Sequence, residues 1–338
     1  MVVKVGINGF GRIGRLVLRA GWDSPNIKFC QINEISGGLE CAAHLIEFDT
    51  IHGRFNKNIS FEKNQLIIDR NNIGFSEYKN PSGFNWGDAG VDIVLDCTGQ
   101  FKTSSSLNEY FKTGVKKVIV SAPIKSREVL NIVFGINERE YDQKKNHMIT
   151  AASCTTNCLA PVVRVVNDNF GITHGSITSI HNVTNTQVMV DTSHKDLRRA
   201  RSGLNSIIPT TTGSASAISM IFPELEGKIN GHAVRIPSLN GSLTDCIFEL
   251  KRQTNIQEVN NCFKQASQTY LKGILGFETR PLVSTDYVGD SRSAIIDALS
   301  TMVIDGSHLK VYAWYDNEWG YANRMVDLLK YVASFIRE

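Results

Sequence analysis

The amino-acid sequence predicts an α/β chain whose first half folds as a doubly wound parallel sheet, and three observations carry that expectation. Val2 to Asn8 is a short apolar run rich in β-branched residues, the pattern of a strand buried on both faces. It feeds straight into Gly9-Phe10-Gly11-Arg12-Ile13-Gly14 and then Arg15 to Ala20, which reads as helical. The glycine pattern therefore lies between a strand and a helix, the context its chemistry requires. A second strand, Ile27 to Asn33, leads to Glu34, twenty residues after Gly14. That is where a dinucleotide fold places an acid against the adenosine ribose hydroxyls.

The glycines let the backbone approach a pyrophosphate, and the helix start offers N–H groups and the positive end of a dipole. A glycine-rich turn in an unrelated α/β protein is the plain alternative, and the acid at Glu34 weighs against it. Further strands are expected at Asp92 to Asp96, Lys117 to Ser121, Asn131 to Gly135 and Met148 to Ala151, punctuated by Thr98-Gly99 and Ala122-Pro123. Strands of this kind joined by crossovers build a doubly wound sheet whose ligands sit at the strands' carboxyl ends. Cys97-Thr98-Gly99 and Ser121-Ala122 are thereby placed to touch cofactor, with Cys97 read as a small packing residue.

At 338 residues the chain is long enough for two domains. A net charge of +3 with scattered basic residues argues against a field built for nucleic acid or an acidic membrane surface. No apolar run approaches the roughly 18 residues that span a bilayer, and MVVKVGINGF lacks the basic start of a signal peptide. The seven cysteines are accordingly expected as reduced thiols of a cytoplasmic protein.

Two of those cysteines lie in AASCTTNC, Ala151 to Cys158, between the last expected strand and an apolar, helix-like stretch from Leu159 to Val166. Ser153 suits an N-cap, which puts Cys154 in the first turn. There the helix dipole is expected to lower the thiol pKa and raise the thiolate fraction. Cys158 falls one turn further on the same face, toward the core, and Pro161 is expected to make the helix irregular. Zinc needs about four ligands; no second Cys or His pair has matching spacing, so no metal is expected. A nucleophilic thiol needs a base nearby. His181, near the end of the alternating segment Ser176 to Asn185, is suited to that task, although the pattern leaves a structural role equally open.

The combination NGFGRIGR, FDTIHGRF, SCTTNCLAP, HKDLRRAR, PTTTGSA and YDNEWGYANRM resembles glyceraldehyde-3-phosphate dehydrogenase along essentially the whole chain. The resemblance implies a Rossmann domain over residues 1–152, completed by a C-terminal helix over 318–338. It also implies an α+β catalytic domain with a mainly antiparallel sheet over 153–317. Cys154 then resembles the nucleophile that forms a thiohemiacetal and a thioester, His181 the partner that activates it, and Cys158 the family's second, non-catalytic cysteine. NAD is the implied cofactor, with Gly9, Phe10, Gly11, Arg12, Ile13, Glu34, Thr98, Gly99, Ser121, Ser193, Asn317 and Tyr321 toward it.

Two anion sites are needed by a substrate with one phosphate and an incoming oxyanion. Thr210 to Ser214 offers hydroxyls and backbone amides, and Arg235 and the run His194 to Arg201 supply cations. By resemblance Thr184, Arg199 and Arg235 hold the phosphate of glyceraldehyde 3-phosphate, while Ser153, Thr155, Thr212 and Gly213 hold the attacking anion. A solvated loop or an RNA-binding patch is the other reading of the arginine run. The family implies a homotetramer with the loop at residues 182–206 lying between subunits.

Four departures from the family pattern matter. Glu34 stands where Asp is usual. Thr192-Ser193 replaces Leu-Pro and is similar to forms that also accept NADP. Thr186 replaces an acid beside the phosphate-binding region. Several segments, among them CQINEI, CAAHLIEFDT and NGHAVRIPSLNGSLTDC, resemble the subfamily found with an organoarsenical efflux permease. That last resemblance implies arsenate as the attacking anion, giving 1-arseno-3-phosphoglycerate for export, with the ordinary glycolytic reaction on phosphate as the alternative. A non-catalytic nucleotide-binding regulator and a dehydrogenase for erythrose 4-phosphate are the remaining readings.

Overall fold

In the computed structural model, which describes residues 2–336, the chain forms two units, residues 2–153 with 322–336 and Cys154–Tyr321. The first unit opens with β1 (Val3–Asn8), whose Val3, Val5 and Ile7 are buried, then α1 (Arg12–Gly21) and β2 (Ile27–Asn33). After α2 (Gly38–Glu47) comes a meander of β3 (Ile59–Glu62), β4 (Gln65–Ile68) and β5 (Asn71–Ser76). The sequence pattern did not predict this meander, because its short strands have exposed, polar faces that carry little alternation.

The unit continues with β6 (Ile93–Asp96), α3 (Ser104–Phe111), β7 (Lys117–Val120), β8 (Leu130–Asn131) and β9 (Met148–Thr150). Their sheet runs β3-β4-β5-β2-β1-β6-β7-β9-β8. It is parallel from β5 to β8, with the antiparallel meander at one edge. β6 and β7 are buried at every position, as strands covered on both faces must be.

The expected strand from Asn131 to Gly135 is reduced to β8. The Asn137 side chain diverts the ladder: its Oδ1 accepts from the Val133 N–H at 2.8 Å and its Nδ2 donates to the Asn131 carbonyl at 3.1 Å. Local side-chain bonds of this kind compete with strand pairing.

The glycine loop shows why its residues are small. Gly9 has φ +89°, and a side-chain carbon there would lie 2.7 Å from the Thr98 backbone nitrogen. A carbon on Gly14 would land on the Gly9 carbonyl oxygen and press on Ile7, so α1 can pack on β1 only with glycine there. Gly14→Ala is expected to cost about 3 kcal/mol of stability, read as a lower urea midpoint at unchanged m-value.

The second unit begins with α4 (Cys154–Phe170) and β10 (Ile172–Asn182). β11 (Ile208–Thr211), α5 (Ser214–Ile221), β12 (Ile229–Ile236), β13 (Ser242–Leu250) and α6 (Ile256–Gln268) follow. The unit then adds β14 (Leu275–Glu278), β15 (Ala294–Asp297), β16 (Met302–Ile304) and β17 (His308–Tyr315). The sheet order is β11-β12-β10-β13-β17-β15-β14, with β16 on β17. Among the described residues only β10–β12 and β14–β15 are parallel pairs in this sheet, which is mainly antiparallel. Leu309, Val311, Ala313 and Tyr315 alternate inward along β17, on the side where α4 packs.

Contrary to the expectation of irregularity, α4 runs unbroken through Pro161. Proline removes one rung of the ladder, at the Asn157 carbonyl. The burial of every residue from Thr155 to Val163 holds the helix across the gap. Finally α7 (Trp319–Ile336) starts in the second unit, and from Ala322 onward its residues belong to the first. There Tyr331 and Phe335 pack edge-on against Tyr141.

Candidate functional site

In the first unit the carboxyl ends of β1, β2 and β6 meet. The Gly9 N–H donates to the Asn33 carbonyl and the Cys97 N–H to the Asn8 carbonyl, which aligns the turns after all three strands. Glu34, at the end of β2, is pinned at both oxygens: Oε2 accepts from the Phe10 N–H at 2.7 Å and Oε1 from the Ser36 N–H at 3.0 Å. Its carboxylate thus faces the glycine loop. Arg12 is held by Asp49, so its guanidinium is committed to the protein. Ile13 is half-buried in the first turn of α1, Gly99 is exposed just beyond β6, and Ser121 follows β7 with its N–H on the Asp96 carbonyl.

These features fit a dinucleotide. The space above Gly11 is open, the first turn of α1 has no acidic residue to repel a pyrophosphate, and Glu34 is positioned for a ribose.

In the second unit Cys154 is the first residue of α4, with Ser153 immediately before it. β10 and β12 run parallel in a register that sets His181 opposite Arg235. The Cys154 Sγ lies 3.6 Å from His181 Nε2, and the imidazole is buried. Burial pulls the His181 pKa down to about 3, and the neighbouring Arg235 charge pulls the same way. At neutral pH the ring is therefore neutral.

The expected lowering of the Cys154 pKa is corrected here. Burial of the thiol raises it, and the Arg235 charge and the backbone amides at the helix start only partly oppose that. The helix-dipole argument assumed a solvated thiol, whereas this one sits half-buried at the helix start. The resting pair is thus a thiol facing a neutral imidazole.

His181 Nδ1 lies 2.8 Å from the Asn182 carbonyl, while Arg235 Nη1 lies 2.6 Å from that nitrogen and donates to the same carbonyl at 3.0 Å. These contacts compete. With Arg235 donating to Nδ1 the ring proton resides on Nε2. With Arg235 drawn toward an anion, Nδ1–H donates to Asn182 and Nε2 turns its lone pair to the thiol.

Around this pair, Thr155 Oγ1 lies 3.0 Å from the Tyr315 hydroxyl, and the Tyr315 ring stands edge-on to His181. Asn317 is buried, and its Oδ1 accepts from the Ser242 hydroxyl at 2.9 Å. Arg199 Nε donates to Thr210 Oγ1 at 2.9 Å, and that hydroxyl donates to Asp196 at 2.7 Å. Thr184 Oγ1 donates to Gln187 Oε1 and lies 2.9 Å from the Thr186 hydroxyl. Thr212 Oγ1 accepts from the Ser214 N–H at the start of α5, beside an exposed Gly213. Ser193 is on an exposed loop and Tyr321 is buried in the first turn of α7.

Cys158 is buried against Ala313 and Thr244, and burial raises its thiol to about 12. All seven cysteines are free. The sequence reading passed over Tyr315 and Ser242, which order Thr155 and Asn317. The alternation along β17 contained enough information to place Tyr315 on the buried face.

The arrangement can deliver a thiol to an electrophilic carbon, with a neutral base in reach and cations nearby for anionic groups. The family models for the NAD binding domain and the C-terminal domain of glyceraldehyde 3-phosphate dehydrogenase match residues 3–104 and 153–317. Glyceraldehyde-3-phosphate dehydrogenase 3 of a Nostoc species is 59% identical over 338 residues, covering 100% of both chains. Glyceraldehyde-3-phosphate dehydrogenase of Geobacillus stearothermophilus is 48% identical over 99% of both chains. Glyceraldehyde-3-phosphate dehydrogenase 1 of Bacillus subtilis is 47% identical, also over 99% of both. NAD is the cofactor of the first unit. The chain belongs to the glyceraldehyde-3-phosphate dehydrogenase family.

Proposed function

We propose that the chain oxidises glyceraldehyde 3-phosphate with NAD through a thioester on Cys154 and passes the acyl group to an inorganic oxyanion. The observation that carries this reading is the Cys154 thiol 3.6 Å from a neutral, buried His181 at the start of α4. The substrate's phosphate draws Arg235, with Arg199 and Thr184, which leaves His181 Nε2 free to take the thiol proton. The sulfur adds to the aldehyde carbon, and His181 steadies the oxygen that becomes negative. Bound NAD supplies the hydride acceptor. Asn317, oriented by Ser242, is assigned to its carboxamide, with Tyr321 nearby. Oxyanion attack on the thioester carbon then expels the Cys154 thiolate; Ser153, Thr155, Thr212 and Gly213 hold that anion.

The anion is phosphate in the glycolytic reading and arsenate in the detoxification reading, where 1-arseno-3-phosphoglycerate would pass to an exporter. The segments resembling the organoarsenical-permease subfamily favour arsenate, and we adopt it as the reading to test. NAD is preferred because the Glu34 carboxylate repels a 2′-phosphate, while Thr192-Ser193 supports tolerance of NADP. The protein acts in the cytoplasm as a homotetramer in this reading.

The test is NADH formation from glyceraldehyde 3-phosphate, titrated separately with phosphate and arsenate. Turnover should require one of them, with kcat/KM for arsenate about tenfold higher or more. Equal use of the two overturns the arsenate role, and no turnover with either overturns the dehydrogenase assignment in favour of a nucleotide-binding regulator.

A further inference from the structure

Beneath the nucleotide-binding turns runs a chain of buried polar side chains that no part of the proposed mechanism uses. The Asn33 amide donates to Asn8 Oδ1 at 2.8 Å, the Asn8 amide donates to the Tyr110 oxygen, and the Tyr110 hydroxyl donates to Asp96 Oδ2 at 2.7 Å. From the other side the Thr98 N–H and hydroxyl both donate to Asp96 Oδ1, at 3.0 and 2.7 Å. Behind Asn33, its Oδ1 accepts from the Tyr78 N–H at 2.8 Å and the Ser76 hydroxyl at 2.9 Å. Asn8, Asn33 and Asp96 are 3%, 3% and 0% exposed, and Tyr110 lies among Trp86, Leu107 and Phe101 in an apolar cluster.

Each link from Asn33 through Asn8 to Tyr110 donates toward Asp96, the second Asn33 amide hydrogen going back to the Tyr78 carbonyl at 2.8 Å, and Asp96 receives from both directions. Only an acceptor-only group can end such a chain, and an ionised carboxylate is the side chain that accepts without donating. Burial pushes the Asp96 carboxyl up, and the Tyr110 and Thr98 donors oppose it. The consequence falls on the next turn. Thr98 is tied to Asp96 by two bonds, its Oγ1 in turn accepts the Gln100 N–H at 3.1 Å, and its backbone nitrogen is the wall against which Gly9 packs.

We propose that Asp96 is a positioning residue for the cofactor: its buried carboxylate ends a one-way hydrogen-bond chain from β2 through β1 and fixes the Thr98-Gly99 turn against the glycine loop. This rests on the assignment of Thr98 and Gly99 to NAD. Asparagine cannot replace it. Turned one way, its amide meets the two Thr98 donors; turned the other, it meets the Tyr110 hydroxyl, whose oxygen already accepts from Asn8. Either way buried donors face each other, and such networks are worth most when complete.

Asp96→Asn is expected to raise the Kd for NAD about tenfold. At saturating NAD, kcat and the KM for glyceraldehyde 3-phosphate should change by less than about twofold. Tyr110→Phe, which keeps both Thr98 bonds but frees the carboxylate to turn, should raise the Kd about threefold. Both are read by NAD titration, alongside melting temperatures and amide exchange over residues 97–100 of the wild-type chain with and without NAD. If NAD leaves that exchange unchanged, the assignment of the turn to cofactor fails. If NAD protects the turn while Asp96→Asn lowers the melting temperature and leaves the Kd at the wild-type value, Asp96 is merely structural and the proposal is overturned. Should Asp96→Asn not fold, an unchanged Kd in Tyr110→Phe overturns it equally.

Discussion

Cys154→Ala should lose about 10⁵-fold or more of the turnover while binding NAD as the wild type does. The size of the loss follows from the chemistry. Without Sγ there is no atom at the start of α4 to form a bond to the aldehyde carbon, and the second cysteine on that helix cannot substitute. Cys158 is walled in by Ala313 and Thr244, and burial raises its thiol to about 12. NAD affinity should persist because the glycine loop, Glu34 and the Thr98 turn belong to the first unit and lack any bond to the thiol among those described. The check pairs NADH formation with an NAD titration; normal turnover in the variant would remove Cys154 from the mechanism.

How much of this was legible in the sequence depends on how local each feature is. β1, β2, β6, β7 and β9 are short, largely apolar runs bounded by turn residues, so their places could be read to within one residue. The glycine loop and Glu34 were legible because their roles depend on spacing along a single βαβ unit. Cys154 and His181 were legible as candidates, since each lies at the end of an element. Their pairing came only from the family resemblance, because in space it depends on where β10 and α4 come together.

Long-range register was the main thing hidden. That His181 stands opposite Arg235 is a property of the parallel β10–β12 pair, whose partners are 54 residues apart. That contact helps to keep the imidazole neutral, while the depth of the site, against the pull of the Arg235 charge, overturns the dipole argument for Cys154. The Asn33-Asn8-Tyr110-Asp96 chain was hidden for the same reason: four residues from four elements, each unremarked alone. The β3–β5 meander was missed because edge strands with polar faces lack the burial that makes a pattern.

His181→Asn should reduce turnover about 10³-fold, the scale of a lost general base, and should change the shape of the pH profile. In the wild type the imidazole pKa lies at about 3, so the base stays unprotonated throughout the working range and imposes no acid limb near neutrality. In the variant the thiol proton must go to solvent. The residual rate should then climb about tenfold per pH unit until the thiol, raised by burial, ionises. The same substitution reports on stability. A histidine with a folded pKa of about 3 and an unfolded pKa of about 6.5 takes its proton first in the unfolded chain. As pH falls through that window, wild-type His181 therefore favours unfolding, and stability rises again as pH rises. Asparagine has no proton to take. Urea midpoints at about pH 7.5 and about pH 4.5 should accordingly fall more steeply for the wild type than for the variant. Parallel losses would mean that His181 is not held neutral, and a thiolate–imidazolium pair would then replace the neutral pair as the resting state.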